Sequence, residues 1–177
     1  MARKTQIAAM LLTLAVMACE PAGGPEATEA PASPLVGAWN LVGSQVAAAD
    51  GTATVNTPQE SLFLFTSDGH YSMAYAVGET ASGVFADAWA PTDAEGLERW
   101  SGLTVNAGRY ELSGSQVVLV PEFALYPVVM NSRATIEFEI SGNDLTLTYV
   151  DFVGSDGSQP PGVPEGGQTV LRLVKQD

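Results

Sequence analysis

The chain has 177 residues and a formal net charge of −13, with 7 basic residues against 20 acidic ones. This charge argues against a nucleic-acid partner, because the basic footprint that such a partner needs is missing. The chain has a single cysteine, which excludes a disulfide framework within it. It also has only one histidine, so a zinc or copper site would lack its usual ligands.

The N-terminal segment has the layout of a secretory signal. Arg3 and Lys4 precede an apolar run over residues 7–17, and Ala18 stands directly before Cys19. A run of about 11–12 residues is too short for a membrane-spanning helix, which needs roughly 20. We therefore expect residues 1–18 to be a signal peptide that is removed on export.

The residues before the cysteine, Val16-Met17-Ala18, resemble the lipobox of bacterial lipoproteins. The resemblance implies that Cys19 becomes the mature N-terminus and carries acyl chains, palmitate among them, that anchor the protein to the cell envelope. Two or more chains give a stable anchor, whereas one chain alone is marginal. Glu20 favours the outer membrane, facing the periplasm or the surface, over the inner membrane. An ordinary secretory signal followed by a free thiol is the alternative.

Residues 19–34 are predicted to be a disordered Pro/Ala/Glu tether. After Cys19 they contain no aromatic and no large aliphatic side chain, so they cannot bury enough apolar surface to offset their conformational entropy. Four prolines in this stretch favour an extended spacer. The remaining residues, 35–177, are long enough for one domain with one core.

Within this domain apolar and polar residues alternate almost throughout, which predicts β-strands separated by turns. Short turns at residues 67–69, 113–115 and 141–143 indicate antiparallel hairpins. The pattern predicts eight strands: 35–46, 61–66, 70–77, 103–112, 116–120, 133–140, 144–150 and 169–175.

One short helix is predicted over residues 94–100, with Thr92 or Asp93 as its N-cap. The remaining pattern is all-β, and consecutive hairpins without crossover helices favour an eight-stranded antiparallel up-and-down barrel. A β-sandwich is the alternative. The glycine- and proline-rich segment 151–168 is expected to be a loose surface loop or a lid over the barrel mouth. Phe85, Trp89 and Trp100 mark a second candidate rim.

Four motifs, in this order, resemble the bacterial lipocalin-like domains. They are the opening Val36-Gly37-Ala38-Trp39, the turn Ser67-Asp68-Gly69 after an aromatic strand, Gly108-Arg109-Tyr110, and Gly142-Asn143-Asp144-Leu145. The resemblance covers nearly all of residues 35–175 and implies a lipocalin-like barrel.

Three residues are assigned to structure. The resemblance implies that Trp39 plugs the closed end of the barrel and that Arg172, on the last strand, packs over its indole as a cation–π pair. Gly37 is expected to let a neighbouring backbone approach.

An eight-stranded barrel either fills with side chains or holds one small ligand. Alternation nominates six residues for a ligand cavity: Tyr71, Met73, Tyr75, Tyr110, Phe138 and Tyr149. Several inward-facing tyrosines suit an apolar ligand that has a few polar atoms. The same side chains could simply fill the core.

We find no catalytic, metal or cofactor pattern. His70 follows an Asp-Gly turn and is expected to be exposed, and Glu137 and Glu139 share a face that is expected to be solvated. Three hypotheses follow: a lipid-anchored barrel that binds or carries a small apolar ligand, an envelope interaction or structural lipoprotein without a ligand, and a lipocalin-like cyclase or isomerase.

Overall fold

A computed structural model describes residues 33–77, 83–159 and 167–177. The predicted signal peptide, Cys19 and all but the last two residues of the predicted tether lie outside the described residues. No helix in the described part of the chain is long and apolar enough to cross a membrane.

The described residues form a closed antiparallel barrel with one α-helix, α1 (Asp93–Ser101), and a 3-10 turn at Pro127–Val129. The first strand pairs with both the second and the third, each later strand pairs with the next in sequence, and the last strand returns to pair with the first. The strands are β1 (Gly37–Ala47), β2 (Ala53–Asn56), β3 (Pro58–Phe65), β4 (His70–Val77), β5 (Leu103–Ser113), β6 (Gln116–Ala124), β7 (Arg133–Ser141), β8 (Asp144–Val153) and β9 (Gln168–Lys175).

Strands β2 and β3 occupy a single place in the barrel. β2 pairs with the end of β1 through Ser44 and Asn56, and β3 pairs with its beginning through Trp39 and Phe63. The nine segments therefore fill eight barrel positions, and the predicted eight-stranded up-and-down barrel is confirmed. Strand β2 was not predicted, because its first three residues are all exposed and carry no inward–outward alternation.

The closed end of the barrel is the end with the short hairpin turns, and it is packed solid. Alternation along each strand points one set of apolar side chains inward. Several of them are 0 % exposed, so not even a water-sized space adjoins them. These fully enclosed residues include Leu35, Phe63, Val117, Ile136, Leu145 and Leu147.

Trp39 is buried at this end, and its cationic partner is Lys175 and not Arg172. The Lys175 ammonium lies 5.4 Å from the centre of the Trp39 ring. On β9 the inward phase runs through Leu171 and Leu173 to Lys175, so Arg172 points outward and is exposed. The prediction that Arg172 packs over the indole was therefore wrong, because Arg172 lies on the outward face of β9.

Gly37 makes room for a side chain and not for a neighbouring backbone. A Cβ at this position would lie 3.2 Å from Lys175 Cε, and its φ of 135° is a conformation that other residues rarely adopt. The glycine thus lets the lysine stem cross the strand and reach the indole.

The open end carries the longer connections. Thr92, one of the two predicted N-caps, caps α1 through a capping box with Glu95. No residue of this helix is buried. In the predicted loop segment 151–168, β8 continues to Val153 and a hydrogen-bonded turn follows. Ser155 there donates its backbone N–H to Val128 O at 2.9 Å, which ties this turn to the 3-10 turn.

Candidate functional site

Three of the six predicted cavity residues come together inside the barrel. Tyr71 and Tyr75 share the inward face of β4, and Tyr149 points inward from β8 on the other side. Burial raises the pKa of the Tyr149 hydroxyl, and the nearby phenols of Tyr75 and Tyr71 raise it further. We refer to Tyr71, Tyr75 and Tyr149 together as the tyrosine cluster.

Asn106 completes the cluster, and sequence reasoning missed it. The Tyr71 hydroxyl donates a 2.8 Å hydrogen bond to Asn106 Oδ1, and both residues are buried. Asn106 lies opposite Met73 in the register of β4 and β5. Asn106 lies on the same face of β5 as Gly108 and Tyr110, and this alternation could have identified it as inward-facing. A buried polar side chain needs a hydrogen-bond partner, so the sequence could have pointed to a contact here.

The phenols are neutral hydrogen-bonding groups at physiological pH. Burial raises the pKa of Tyr71 and of Tyr75 from the usual value near 10, and in Tyr75 the Thr104 side chain partly offsets the effect. The cluster therefore offers hydroxyl and amide groups without formal charge.

The cluster has an apolar floor. Met73, another predicted cavity residue, is 2 % exposed and lies between Tyr71 and Tyr75 on the inward face of β4. The Phe63 ring stacks on the Tyr75 ring with centroids 5.9 Å apart and planes 14° apart. Since the residues below are fully enclosed, a ligand can enter only the upper half of the barrel. There the inward-facing rings of Tyr75, Tyr149 and Phe152 are only partly buried.

The other two predicted cavity residues lie near the closed end. The Tyr110 hydroxyl donates to Thr66 O at 2.8 Å, in the turn between β3 and β4. The backbone N–H of Phe138 donates to Ser115 O at 2.8 Å, in the turn between β5 and β6. The Phe65 ring packs against both Tyr110 and Tyr71, so the packed end is continuous with the lower part of the tyrosine cluster.

A shallow depression of about 200 Å³ lies on the outer wall and not in the barrel. Its lining is Ser115, Glu137, Phe138, Glu139, Thr146 and Thr148. Both glutamates are exposed, as expected from the sequence. Within the described residues there is no group of three or more metal-ligating side chains. His70 is exposed and lies 3.3 Å from the Asp68 carboxylate.

The connection between β4 and β5 carries exposed apolar side chains beside the open end. Val84 and Trp89 are almost completely exposed, and Leu97 of α1 is more than half exposed. The Trp100 ring packs edge-on against Tyr126, with centroids 5.9 Å apart. Phe85, in the same connection, is partly buried.

One comparison with known proteins identifies the family of this domain. A family model described as a lipocalin-like domain matches residues 36–159. A crystal structure of a lipocalin-like protein from Bacteroides uniformis ATCC 8492 is 19 % identical, and the match covers 80 % of this chain and 98 % of that chain with a TM-score of 0.40. No curated protein matches the chain.

Proposed function

Because the chain belongs to the lipocalin-like domain family, we propose that its barrel binds a small, largely apolar molecule through the open end. The observation that carries this proposal is that the inward-facing rings of Tyr75, Tyr149 and Phe152 are only partly buried where they pack against the apolar core. The hydrogen-bonded pair Tyr71 and Asn106 adds polar groups to this apolar surface. Pockets for small molecules are mostly apolar, with a few placed polar groups that orient the ligand. The upper half of this barrel has that composition.

The ligand is small, because only part of the interior is available to it. The fully enclosed residues of the closed end leave no water-sized space. An eight-stranded barrel has an interior just wide enough for side chains or one small ligand. We expect a molecule that inserts at the mouth and reaches the tyrosine cluster with one end.

We further propose that the domain is exported and held at the cell envelope by a lipid on Cys19. The charged start, the short apolar run and the Val16-Met17-Ala18 segment before the cysteine support this. Residues 19–34 would then act as the spacer between the membrane and the barrel. Glu20 favours placement on the outer membrane.

Ligand binding is tested with an apolar fluorescent probe and a pair of variants on neighbouring positions. Thr104 lies opposite Tyr75 in the inward phase of β5, whereas Val105 is next to it in the outward phase. We expect Thr104→Trp to block probe binding and Val105→Trp to leave it intact, with both variants folded by circular dichroism. Absence of binding to the parent protein, or equal binding by the two variants, would contradict the proposal.

The anchor is tested by mass spectrometry of the protein from a bacterial membrane fraction. We expect the N-terminal peptide to begin at Cys19 with acyl chains attached, and Cys19→Ala to remove the protein from the membrane. An unmodified Cys19 would overturn the anchoring proposal and leave ligand binding untouched.

A second function, an interaction protein without a ligand, is favoured by the exposed surface of Val84, Trp89 and Leu97. Exposed apolar clusters often mark sites of protein contact. A stoichiometric protein partner captured by the intact domain, and lost on Trp89→Ser, would favour this function. If Thr104→Trp also abolishes capture of the protein partner, the partner binds at the barrel mouth and not at this exposed surface.

A further inference from the structure

Helix α1 turns its polar side to the protein and its apolar side to solvent. The partly buried residues of the helix are Glu95, Gly96 and Arg99, which follow one side of it. Leu97 and Trp100, three residues apart on another side, are exposed. A surface helix of a globular domain normally turns its apolar stripe to the core, so the usual arrangement is reversed in α1.

Polar contacts hold the helix in this orientation. The Glu95 carboxylate accepts hydrogen bonds from the backbone N–H groups of Ala86 and Thr92, both at 2.8 Å. The Arg99 guanidinium lies 4.0 Å from the Glu60 carboxylate of β3. Because these contacts use the polar side of the helix, its apolar side is left for a partner.

This apolar side offers area that a partner can bury. Leu97 is 68 % exposed and Trp100 is 43 % exposed, with its ring edge-on against Tyr126. Isolated helices as short as α1 are marginal in water, and this one has no buried residue. A partner that covers Leu97 and Trp100 would remove apolar surface from water and stabilise the helix.

Acidic groups surround this apolar surface. Residues 83–102 contain one basic residue, Arg99, and four acidic ones: Asp87, Asp93, Glu95 and Glu98. Of these, Asp93 and Glu98 are exposed on the helix beside Leu97. The segments 78–82 and 160–166 contain no Lys, Arg or His, so neither can supply a counter-charge. The surface therefore complements a partner that has basic side chains around an apolar centre.

The same charges disfavour two other occupants. Anionic lipid headgroups repel an acidic surface, and helices that lie on membranes carry Lys and Arg on their polar face. A second copy of the chain would bring like charges together across a symmetric contact. A protein with basic groups at its rim meets neither objection.

We propose that the outward side of α1, with Leu97 and Trp100 at its centre, docks a basic amphipathic segment of another protein. Leu97 and Trp100 provide the apolar anchor, and Asp93 and Glu98 pair with basic side chains at the rim. This inference rests on the second proposed function, interaction with a protein, and adds the chemistry of the partner and the place where it binds. It does not depend on ligand binding in the barrel.

The test uses the purified protein and two fluorescein-labelled helical peptides. Both peptides have a leucine face, flanked by lysines in the first and by glutamates in the second. Fluorescence anisotropy should show that the lysine peptide binds, more weakly in added salt, and that the glutamate peptide does not. Leu97→Ser should weaken binding about tenfold, the equivalent of one apolar side chain left in water. Absence of lysine-peptide binding, or equal binding of both peptides, would overturn the inference.

Matched substitutions on the barrel wall are the controls. Val150→Ser removes an exposed apolar side chain from β8 and should keep the affinity of the parent protein. Glu98→Lys should weaken binding of the lysine peptide, whereas Glu139→Lys, the same change at an exposed position of β7, should not. Circular dichroism checks that all four variants fold, and equal effects within either pair would overturn the inference.

Other occupants give different results in the same variants. A dimer of the parent protein that Leu97→Ser dissolves, or binding to phosphatidylcholine vesicles that this variant loses, would overturn the inference. A captured protein partner that Leu97→Ser still binds would also overturn it and keep the second proposed function. Thr104→Trp should keep peptide binding, so failure of the ligand-binding proposal is distinguishable from failure of this one.

Discussion

Lys175 and Trp39 face each other at the closed end of the barrel, where the last strand meets the first. They are partners in the register of β1 and β9, and the ammonium lies 5.4 Å from the centre of the indole ring. The indole Nε1–H donates to Leu35 O at 2.8 Å, so the ring is fixed on its other side. The end of the chain thus closes the barrel over the residue that plugs it.

Replacing Lys175 should weaken this closure. We expect Lys175→Met to lower the free energy of unfolding by about 0.5–1 kcal/mol, since a cation–π contact near the surface contributes about that much. Arg172→Met is the control, because Arg172 is exposed on the outer face of the same strand. Urea denaturation measures both, and an equal loss in the two variants would contradict the assignment of Lys175.

Gly108 should tolerate no side chain at all. A Cβ there would lie 2.1 Å from Val120 O and 2.7 Å from Glu122 N, where β6 bulges towards β5. We expect Gly108→Ala to cost about 3 kcal/mol or more, because the backbone of β6 would have to move.

Gly43→Ala is the control for Gly108→Ala, since no atom lies within 4 Å of its added Cβ. This substitution should change stability by about 0.5 kcal/mol or less, in either direction. Thermal denaturation of the two variants checks the pair, and similar melting temperatures would refute the close approach of β5 and β6.

Ser132 should be replaceable with a gain in stability. Its side chain is 2 % exposed, and its hydroxyl has no hydrogen-bond partner within the described residues. A buried unsatisfied hydroxyl costs about 1–3 kcal/mol, so we expect Ser132→Ala to stabilise the protein by roughly 1 kcal/mol.

Ser61→Ala should have the opposite effect. The Ser61 hydroxyl accepts a 2.8 Å hydrogen bond from Leu41 N, and its removal leaves that partly buried N–H unpaired. We expect a loss of about 1 kcal/mol by chemical denaturation. A destabilised Ser132→Ala would show that the Ser132 hydroxyl has a partner after all.

Alkaline pH should unfold the domain through its buried tyrosines. The pKa values of Tyr71, Tyr75 and Tyr149 are raised in the folded state, so the unfolded chain loses these protons first. Their contribution to stability is complete below about pH 10 and falls as the pH rises further, by up to about 1.4 kcal/mol per pH unit for each phenol. Tyr149→Phe should reduce the slope of unfolding free energy against pH, and an unchanged slope would contradict its burial.

Much of the fold was predictable, because alternation is a local property of the strand backbone. Successive side chains point to opposite faces, so the inward phase of β4 was identifiable from Tyr71, Met73 and Tyr75 alone. The hairpin turns were readable for the same reason, since Gly69, Gly114 and Gly142 all adopt the positive φ that those turns need. Strand β2 was missed because its first three residues have no buried face.

The site was only half predictable, because alternation says nothing about height along the barrel axis. Tyr110 and Tyr149 both face inward, yet the first is buried and bonds to a turn at the closed end, whereas the second is only partly buried. Strand tilt and register decide which inward residues share a level, and bulges shift that register. Asn106 was missed because its role depends on the Tyr71 hydroxyl, on another strand.

The amino-acid sequence by itself determined the number of barrel positions, the short helix and the inward face of most strands, since these follow from the two-residue period of the backbone and from turn residues. The tertiary structure decided that Lys175 covers Trp39 and that the Tyr71 hydroxyl bonds to Asn106. These contacts join residues far apart in the chain. Closure of the barrel, with its tilt and register, brings them together.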